Sequence, residues 1–324
     1  MRFLVAGAGS WGTAFAHVLL ERGHEVVLGC HTAEQAEQIE ATGRNPRYLT
    51  TVDLRAAEAV ALADAPGDVD VMVVAVPSRA FADVVDALPG EAPVLSLTKG
   101  LDPATGERLS TRVSSRAVAV LSGPNMAEEI AIGMPTAAVI ASEDGYLAGQ
   151  LQHAINSTVF RAYVNPDVVG VELCAAAKNV IGLAAGGVDG LDLGDNAKAS
   201  LITRGLAEMA RLGIAAGART ETFAGLAGMG DLIVTCTSQR SRNRHVGEQL
   251  GAGKPIDEII GSMNQVAEGV KAASVVMEFA DKYGLSMPIA REVDAVINHG
   301  STVEQAYRGL MAEKPGHEVH GPGF

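Results

Sequence analysis

The chain has 324 residues, of which 48% are hydrophobic and 19% are charged, so it is long enough for two domains of about 100–200 residues each and has the composition of a soluble globular protein. Its 38 acidic residues outnumber its 25 Lys and Arg residues, giving a net charge of −13, which argues against a general nucleic-acid or anionic-membrane surface. An anionic ligand must therefore meet a local basic pocket.

Short apolar runs alternate with helical stretches over the first half of the chain, the pattern of a doubly wound α/β sheet. The run 70–76 is apolar almost throughout, as in a parallel strand covered by helices on both faces, and predicts a central strand. The predicted strands span 3–6, 25–28, 69–76, 93–97, 118–121, 136–141 and 159–164.

A glycine motif, Gly7-Ala8-Gly9-Ser10-Trp11-Gly12, lies between the first predicted strand and an Ala-rich helix predicted over 13–22. In this context Gly7 permits a tight turn, Gly9 lets the backbone approach a pyrophosphate, and Gly12 allows helix and strand to pack closely. Free N–H groups at the helix start favour the phosphate charge. The motif therefore predicts a dinucleotide site, with a purely structural glycine turn as the alternative.

The position about 20 residues beyond such a motif normally holds an acidic residue that bonds the adenosine ribose. Here His31 and Thr32 occupy it, and both can donate to a 2′-phosphate that no carboxylate repels. NADP should therefore be tolerated, while the nearby Glu34 keeps NAD open. The alternative is that His31 is an exposed loop residue.

The pattern becomes helical after Asn165-Pro166-Asp167, where the residue before proline is pushed out of helical conformation. We therefore predict a dinucleotide-binding domain over 1–165 and an all-helical substrate domain over 166–324, with a loose tail from about residue 314. Gly284 should end one helix and Pro288 should begin the next. The predicted helices span 168–185, 197–216, 270–283 and 289–298.

The three cysteines, Cys30, Cys174 and Cys236, lie far apart and form no Cys-x-x-Cys pair, so neither a disulfide framework nor a metal site is expected. A reducing cytoplasmic setting fits best. The first residues run straight into the glycine loop and leave no room for a secretory leader. The longest apolar stretches, such as 71–76, are judged much shorter than the ~20 residues of a membrane span, so no stable membrane insertion is expected.

Six motifs together resemble one family, and they follow one another over nearly the whole chain except the tail. They are Gly7 to Gly12, Thr98-Lys99-Gly100, Ser122-Gly123-Pro124, Glu172-Leu173-Cys174 through Lys178-Asn179, Gly228-Met229-Gly230-Asp231-Leu232 and Ser241-Arg242-Asn243. The chain thereby resembles bacterial NAD(P)-dependent glycerol-3-phosphate dehydrogenases.

That resemblance implies a Rossmann-type sheet domain followed by an all-α domain of the 6-phosphogluconate-dehydrogenase type. It also implies a homodimer that binds NADP or NAD and a small phosphorylated substrate. The reaction would be hydride transfer between dihydroxyacetone phosphate and sn-glycerol 3-phosphate, which feeds glycerophospholipid synthesis.

Lys178 sits inside an apolar helical run, 171–183, where an ammonium group is unfavourable unless it is paired or its pKa is depressed. A lysine whose pKa lies near neutrality can give a proton to a ketone oxygen while hydride arrives at the carbon. The resemblance assigns Lys178 this general acid/base role. The alternative is a lysine on the helix surface whose amine reaches solvent.

Asp231 follows a glycine-rich turn and precedes an apolar stretch, so its residue type and position predict a helix N-cap. Such a residue at an interdomain cleft can also hold a substrate hydroxyl or orient Lys178 electrostatically. The resemblance implies a substrate contact for Asp231.

Ser241-Arg242-Asn243 starts another predicted helix, and this basic helix start predicts a phosphate site. The Ser241 hydroxyl, the Arg242 guanidinium and the Asn243 amide would cradle a phosphomonoester, with Arg242 also assigned to the cofactor. Arg240 and Arg244 are expected to be solvated. The alternative is a solvated basic turn.

Lys99 ends a predicted strand, where ligands of open α/β sheets gather, and could reach substrate or cofactor. By resemblance, Gly123 and Asn125 contact substrate and Ala127 lies near the nicotinamide, although family members commonly carry a hydroxyl residue where this chain has Asn125. Val266 and Glu268 match a segment that covers the cofactor, while Glu268 also fits a helix start.

Two other functions are compatible with the sequence, one catalytic and one not. A β-hydroxyacid dehydrogenase shares the two-domain plan but resembles a Lys-x-x-x-Asn pattern, whereas here Asn179 follows Lys178 directly and position 182 is Gly182. A non-catalytic NAD(P)-sensing module would give no reason for Lys178, Asp231 and Arg242 to converge. A thiol-dependent nucleotide-sugar dehydrogenase is disfavoured because Cys174 lies in an apolar run.

Overall fold

The fold was taken from a computed structural model, which describes residues 1–263 and 267–312. The predicted tail and the predicted cofactor contact of Val266 lie outside these described residues.

Eight strands form one sheet in the order β3-β2-β1-β4-β5-β6-β7-β8, and all neighbours are parallel except the β6–β7 pair. The first six positions follow the order of a doubly wound dinucleotide-binding sheet, so the predicted fold class is confirmed. The strands are β1 Arg2–Ala6, β2 Glu25–Cys30, β3 Ala57–Ala61, β4 Val71–Val74, β5 Val94–Ser96, β6 Val118–Ser122, β7 Thr136–Ala141 and β8 Phe160–Asn165.

The strand β3 has no counterpart among the predicted strands. Its sequence is Ala-Glu-Ala-Val-Ala, and alanine and glutamate are depleted in strands. It lies at the edge of the sheet, where it pairs only with β2 and buries a single residue, Ala59. An edge strand needs no continuous apolar run, so the sequence signal was weak.

Both faces of the central strands are covered. Along β1, Phe3 and Val5 belong to the cluster that contains Phe15 of the first helix. Leu4 and Ala6 point to the opposite face, since alternate residues of a strand do so. All four residues of β4 are buried, which confirms the predicted central strand.

Five helices accompany the sheet, and nine follow it within the described residues. The first group is α1 Ser10–Glu21, α2 Ala33–Thr42, α3 Ser78–Ala87, α4 Ala127–Ile130 and α5 Gly145–Ile155. The second group is α6 Val168–Gly190, α7 Gly194–Ala215, α8 Thr220–Phe223, α9 Asp231–Thr237, α10 Arg242–Gly251, α11 Ile256–Ser262, α12 Glu268–Lys282, α13 Pro288–Asn298 and α14 Val303–Ala312.

The change from sheet to helices occurs within a few residues of Pro166. The strand β8 ends at Asn165, and Asp167 caps α6 by accepting a hydrogen bond of 2.8 Å from the Gly170 N–H. The division into two domains at 165/166 stays a prediction. At the other predicted boundary, Gly284 adopts a φ of +63° after α12, and Pro288 stands at the start of α13, as expected.

The helix α6 is the centre of the helical half. By length and composition its 23 residues could cross a membrane, but 89% of its apolar window is buried inside the protein. Glu172 and Lys178 interrupt the apolar run of this helix, so its uninterrupted apolar stretches stay much shorter than a membrane span, and only the average over the window is apolar enough. Its burial shows that the helix forms the core of this half.

Candidate active site

A buried lysine and a buried aspartate form the centre of the site. Lys178 lies on α6, and its Nζ donates to Asp231 Oδ1 at 2.5 Å and to Thr235 Oγ1 at 2.9 Å. The side chains of Lys178 and Asp231 are only 6% and 2% exposed. An ammonium so deeply buried is tolerated because it is paired and hydrogen-bonded. The alternative of a lysine that reaches solvent is wrong.

A second lysine approaches the same carboxylate from the sheet. Lys99 lies just beyond β5, and its Nζ donates to Asp231 Oδ2 at 2.8 Å and to the Gly123 carbonyl at 3.0 Å. Gly123 follows β6 with a φ of +141°, and a Cβ there would come within 3.0 Å of the Ala137 carbonyl oxygen. The carboxyl ends of two parallel strands thus meet α6 and α9.

The charges of this cluster shift the pKa values of Lys178 and Asp231. Burial lowers the pKa of Lys178, and the positive charge of Lys99 lowers it further, whereas Asp231 opposes the change and leaves the pKa at about 8. Burial by itself would raise the pKa of Asp231, but the two ammonium groups outweigh it and hold that pKa below its usual value. At neutral pH the aspartate is ionised and Lys178 is poised to exchange a proton.

The predicted N-cap role of Asp231 is wrong. Asp231 is the first residue of α9, its N-cap position is Gly230, and no side chain caps this helix. The carboxylate instead turns toward the two lysines, because their charges bind it more strongly than backbone N–H groups do. Thr235 was not predicted, although its position four residues after Asp231 places both on one face of α9.

The glycine loop leaves room for a phosphate group. Gly7 has a φ of +114°, and a Cβ on Gly12 would collide with the Gly7 carbonyl oxygen. A Cβ on Gly9, by contrast, would meet nothing within 4 Å. Gly9 is the N-cap of α1 and no side chain caps that helix. The first-turn N–H groups therefore have no side-chain cap among the described residues, as phosphate binding requires.

Two side chains in this loop carry buried polar atoms without a partner among the described residues: Ser10 Oγ and Trp11 Nε1. Buried polar atoms are normally hydrogen-bonded, so these atoms fit a site whose remaining partner is a ligand. Asn45, which sequence reasoning missed, donates 2.9 Å hydrogen bonds to the Ala8 carbonyl and to Thr13 Oγ1. The residues present thus fit a dinucleotide.

The residues predicted to read the adenosine ribose lie after β2. His31 and Thr32 are both exposed. Thr32 caps α2 by accepting a 3.2 Å hydrogen bond from the Gln35 N–H, which leaves its own O–H free to donate. The part of His31 in choosing NADP or NAD stays a prediction.

The segment predicted to bind a phosphate lies at the start of a helix, α10, as expected. Ser241 caps this helix by accepting from the Arg244 N–H at 3.3 Å. Arg242 is exposed, and across residues 1–263 and 267–312 no hydrogen bond or ion pair holds its guanidinium. Asn243 is buried, and both polar atoms of its side chain are hydrogen-bonded. Its Nδ2 donates to Asn179 Oδ1 and its Oδ1 accepts from the Gly269 N–H, each at 2.9 Å. Asn243 therefore ties three helices together, and its substrate contact stays a prediction.

The two neighbouring arginines differ from each other. Arg240 is half exposed and pairs with Glu129 at 3.0 Å. Arg244 is only 13% exposed and lies 2.6 Å from Asp189 and 3.3 Å from Glu248. The expectation that Arg244 is solvated is wrong, because these carboxylates hold it against the helical half.

The remaining predicted contacts are Asn125, Ala127 and Glu268. Asn125 donates to the Ala137 carbonyl at 3.0 Å, and its buried Oδ1 has no partner among the described residues. Ala127 is buried at the start of α4. Glu268 begins α12 and accepts a 2.9 Å hydrogen bond from Ser78 Oγ of the sheet half. Burial raises the pKa of Glu268, while the Ser78 hydrogen bond and the Arg242 charge oppose that rise.

Two features bear on the alternative activities. A Cβ on Gly182 would lie 2.7 Å from the Thr235 methyl group and 3.3 Å from Asn243, so no asparagine fits at the position of a Lys-x-x-x-Asn pattern. Cys174 is buried, and burial raises the pKa of its thiol. A thiol in that state is a poor nucleophile.

Comparison with known proteins identifies one family over both halves. The family model for the NAD-dependent glycerol-3-phosphate dehydrogenase N-terminus matches residues 3–148, and that for the C-terminus matches residues 167–308. A glycerol-3-phosphate dehydrogenase [NAD(P)+] from Mycobacterium avium is 53% identical, covering 100% of this chain and 98% of the relative.

More distant relatives agree. A glycerol-3-phosphate dehydrogenase [NAD(P)+] 2 from Sphingopyxis alaskensis is 46% identical and covers 97% of both chains. The crystal structure of glycerol-3-phosphate dehydrogenase from Coxiella burnetii superposes with a TM-score of 0.92 at 36% identity, covering 96% of this chain and 99% of that one.

Proposed function

The chain belongs to the NAD-dependent glycerol-3-phosphate dehydrogenase family, and from that premise we propose that it interconverts dihydroxyacetone phosphate and sn-glycerol 3-phosphate with NADP or NAD. The observation that carries the proposal is the buried Lys178 amine, held by Asp231 and Thr235 at the carboxyl ends of the sheet strands. Ligands of open α/β sheets bind at that edge.

Lys178 moves the proton of the reaction. In the reducing direction its ammonium gives a proton to the C2 oxygen as the carbonyl becomes a hydroxyl, and in the oxidising direction the neutral amine takes that proton back. The nicotinamide, when bound, supplies or accepts the hydride. A pKa of about 8 for Lys178 allows both directions near neutral pH.

Asp231 and Lys99 position this amine. Asp231 accepts from both lysines, so it fixes the Lys178 amine and stabilises its protonated form. Lys99 adds a second positive charge at the cleft, which favours an anionic substrate. Asp231 and Lys99 also contact the substrate in this proposal, beside Gly123 and Asn125.

Substrate and cofactor phosphates are held by backbone and by the start of α10. The N–H groups from Gly9 to Gly12 would hold the cofactor pyrophosphate, with Ser10 and Trp11 supplying the unpartnered polar atoms. The exposed Arg242 and the hydroxyl of Ser241 would hold the substrate phosphate. Glu268, Ala127 and His31 complete the proposed cofactor contacts.

The proposal extends to the setting of the enzyme. We infer a homodimer in the cytoplasm that supplies glycerophospholipid synthesis without stable membrane insertion. The family resemblance supports the dimer, and the three buried free thiols fit a reducing compartment. Light scattering on the purified protein tests the dimer.

The deciding experiment is the absorbance change of NADPH, and separately of NADH, on adding dihydroxyacetone phosphate. Unphosphorylated dihydroxyacetone is the control. We expect the reduced cofactor to be oxidised only with the phosphorylated substrate, since the substrate phosphate is the group that Arg242 and Ser241 bind. Cofactor binding without oxidation in either assay would contradict the proposal and favour a sensing module.

A further inference from the structure

Besides Asp231 of α9, a buried carboxylate lies on α6, where it does not contact the reacting groups. Glu172 is 3% exposed, and both of its oxygens are hydrogen-bonded to a segment of the sheet half. Oε1 accepts from the Ser110 N–H at 2.8 Å, and Oε2 accepts from Ser110 Oγ at 2.5 Å and from Arg108 at 3.0 Å. No step of the proposed reaction uses Glu172.

The segment that Glu172 holds is a compact loop, residues 100–112, which we call the β5 loop. It closes on itself through an antiparallel bridge between Leu101 and Arg108 and a 2.8 Å hydrogen bond from the Gly106 N–H to the Asp102 carbonyl. Leu101 is 4% exposed and belongs to a buried cluster that contains α6 residues such as Val171 together with Val120 and Val139 of the sheet. The β5 loop is therefore attached to α6.

Lys99 is the residue directly before the β5 loop. Its amine meets Asp231, which also binds Lys178, and Lys178 lies on the same helix as Glu172. A closed circuit of contacts thus runs from α6 through the β5 loop to Lys99 and returns to α6 through Asp231. Within this circuit, the hydrogen bonds of Glu172 to Ser110 and Arg108 are the polar contact between α6 and the β5 loop.

We propose that Glu172 is a positioning residue: through Ser110 and Arg108 it holds the β5 loop, and thereby holds Lys99 against the carboxylate shared with Lys178. The prediction for catalysis rests on the proposed function, whereas the prediction for loop order does not. Glu172 itself touches neither the reacting amine nor its partners.

A displaced Lys99 has a consequence with a definite sign. The ionisable groups that face Lys178 are Asp231, Lys99, Cys174 and Cys236. Loss of the Lys99 charge from this set removes repulsion and raises the pKa of Lys178. Loss of the Glu172 charge acting at a distance would instead lower that pKa, because a carboxylate favours the ammonium form.

The test is the variant Glu172→Gln, which keeps the shape of the side chain but places an amide opposite the donors of Ser110 or Arg108. The alkaline limb of kcat for ketone reduction should move upward by about half a pH unit or more. Amide hydrogen exchange in residues 100–112 should accelerate about tenfold or more. Only the alkaline limb of the pH profile is diagnostic. Burial raises the pKa of Glu172 itself, so the loss of its titration in Glu172→Gln can also change the acid limb.

Matched variants separate positioning from general loosening. Glu208→Gln changes another carboxylate of the helical half that is also 3% exposed and that accepts from the Ile289 and Ala290 N–H groups. It should leave the alkaline limb and the loop exchange unchanged. Ser110→Ala removes only one of the bonds to Glu172 and should shift both readouts in the same direction by less, even if Glu172→Gln folds poorly.

A double-mutant cycle completes the test. Lys99→Met should move the alkaline limb upward, and adding Glu172→Gln should move it no further, since both act through the same amine. An unchanged or downward shift in Glu172→Gln, or additive shifts in the double variant, would overturn the proposal. If the wild-type chain reduced no dihydroxyacetone phosphate, the proposed function would fail, while unaltered loop exchange in Glu172→Gln and Ser110→Ala would separately refute the positioning role.

Discussion

The nucleotide loop of the sheet half presents backbone N–H groups and open space, whereas the helical half presents buried charged side chains. A Cβ added at Gly9 would meet no atom of the described residues within 4 Å, and no side chain among them caps the helix that follows. At Lys178 and Asp231, by contrast, side chains 6% and 2% exposed share a hydrogen bond of 2.5 Å. The first region offers a shape, and the second holds the groups to which we assign the proton transfer.

This difference determines how each region should respond to change. A backbone site is sensitive to added atoms, since a Cβ occupies space meant for a ligand or for another strand. A buried ionic site is sensitive to lost charge, since the remaining partners stay buried without compensation. Substitutions in the two halves should therefore separate cofactor binding from turnover.

The largest effect is expected for Lys178→Ala, because the proposed mechanism assigns general acid/base catalysis to this amine. Turnover should fall by about 10³-fold, while cofactor binding persists. In the wild type, ketone reduction should decline as pH rises through about 8, where Lys178 loses its proton, and alcohol oxidation should rise over the same range. Steady-state kinetics at several pH values, with cofactor binding followed by fluorescence, measure both.

Lys198→Ala is the matched control for that variant. Lys198 also pairs with a carboxylate of the helical half, Asp189 at 2.7 Å, but lies outside the site. Its removal should leave turnover near the wild-type value. Equal losses in the two variants would mean that Lys178 stabilises the fold rather than moving a proton.

A smaller effect is expected for Arg242→Ala, which removes an exposed charge rather than a buried one. The KM for dihydroxyacetone phosphate should rise by about 10- to 100-fold with a lesser change in kcat, since a charged hydrogen bond to the phosphate is lost. Arg240→Ala, whose arginine pairs with Glu129, should change KM little. A normal KM in Arg242→Ala would move the phosphate site away from α10.

The smallest effect on activity is expected in the sheet half, for Gly9→Ala. The backbone at Gly9 has a φ of −79°, which alanine adopts, and its Cβ would meet no protein atom within 4 Å. Stability should stay unchanged while cofactor affinity falls by about tenfold, because the methyl group enters the pyrophosphate space. Calorimetric titration with NADPH and thermal unfolding measure the two quantities.

Gly12→Ala sharpens the same contrast from within the loop. Its Cβ would collide with the Gly7 carbonyl oxygen, so the loop itself must move and the protein should lose stability as well as cofactor affinity. If Gly9→Ala were as destabilised as Gly12→Ala, the open space at Gly9 would be a structural requirement rather than a binding site.

Much of the fold could be read from the chain. Seven of the eight strands were predicted from the sequence, and the central parallel strand β4 carries the continuous apolar run that such strands need. The strand β3 was missed since its Ala-Glu-Ala-Val-Ala sequence lies at an edge and buries little. The glycine loop was predictable because its spacing between strand and helix carries a backbone requirement.

Less information was available from the sequence about which charged side chains of the site pair with each other. The apolar run around Lys178 indicated an unusual lysine, but the local sequence of Asp231 indicated a helix cap. Arg244 belongs to a cluster of three arginines and was expected to be solvated, yet it forms ion pairs with Asp189 and Glu248. In each case a residue distant in sequence decided the role, and a local pattern carries no information about such a partner.

Local spacing and periodicity were enough to predict the doubly wound sheet, the glycine loop, the helical second half and the residue types available for proton and phosphate chemistry. The folded chain was needed to show that Lys99 and Lys178 share Asp231 and that Glu172 binds the loop that follows Lys99. Those contacts join residues 132, 53 and 62 positions apart, and burial gives each of them its strength.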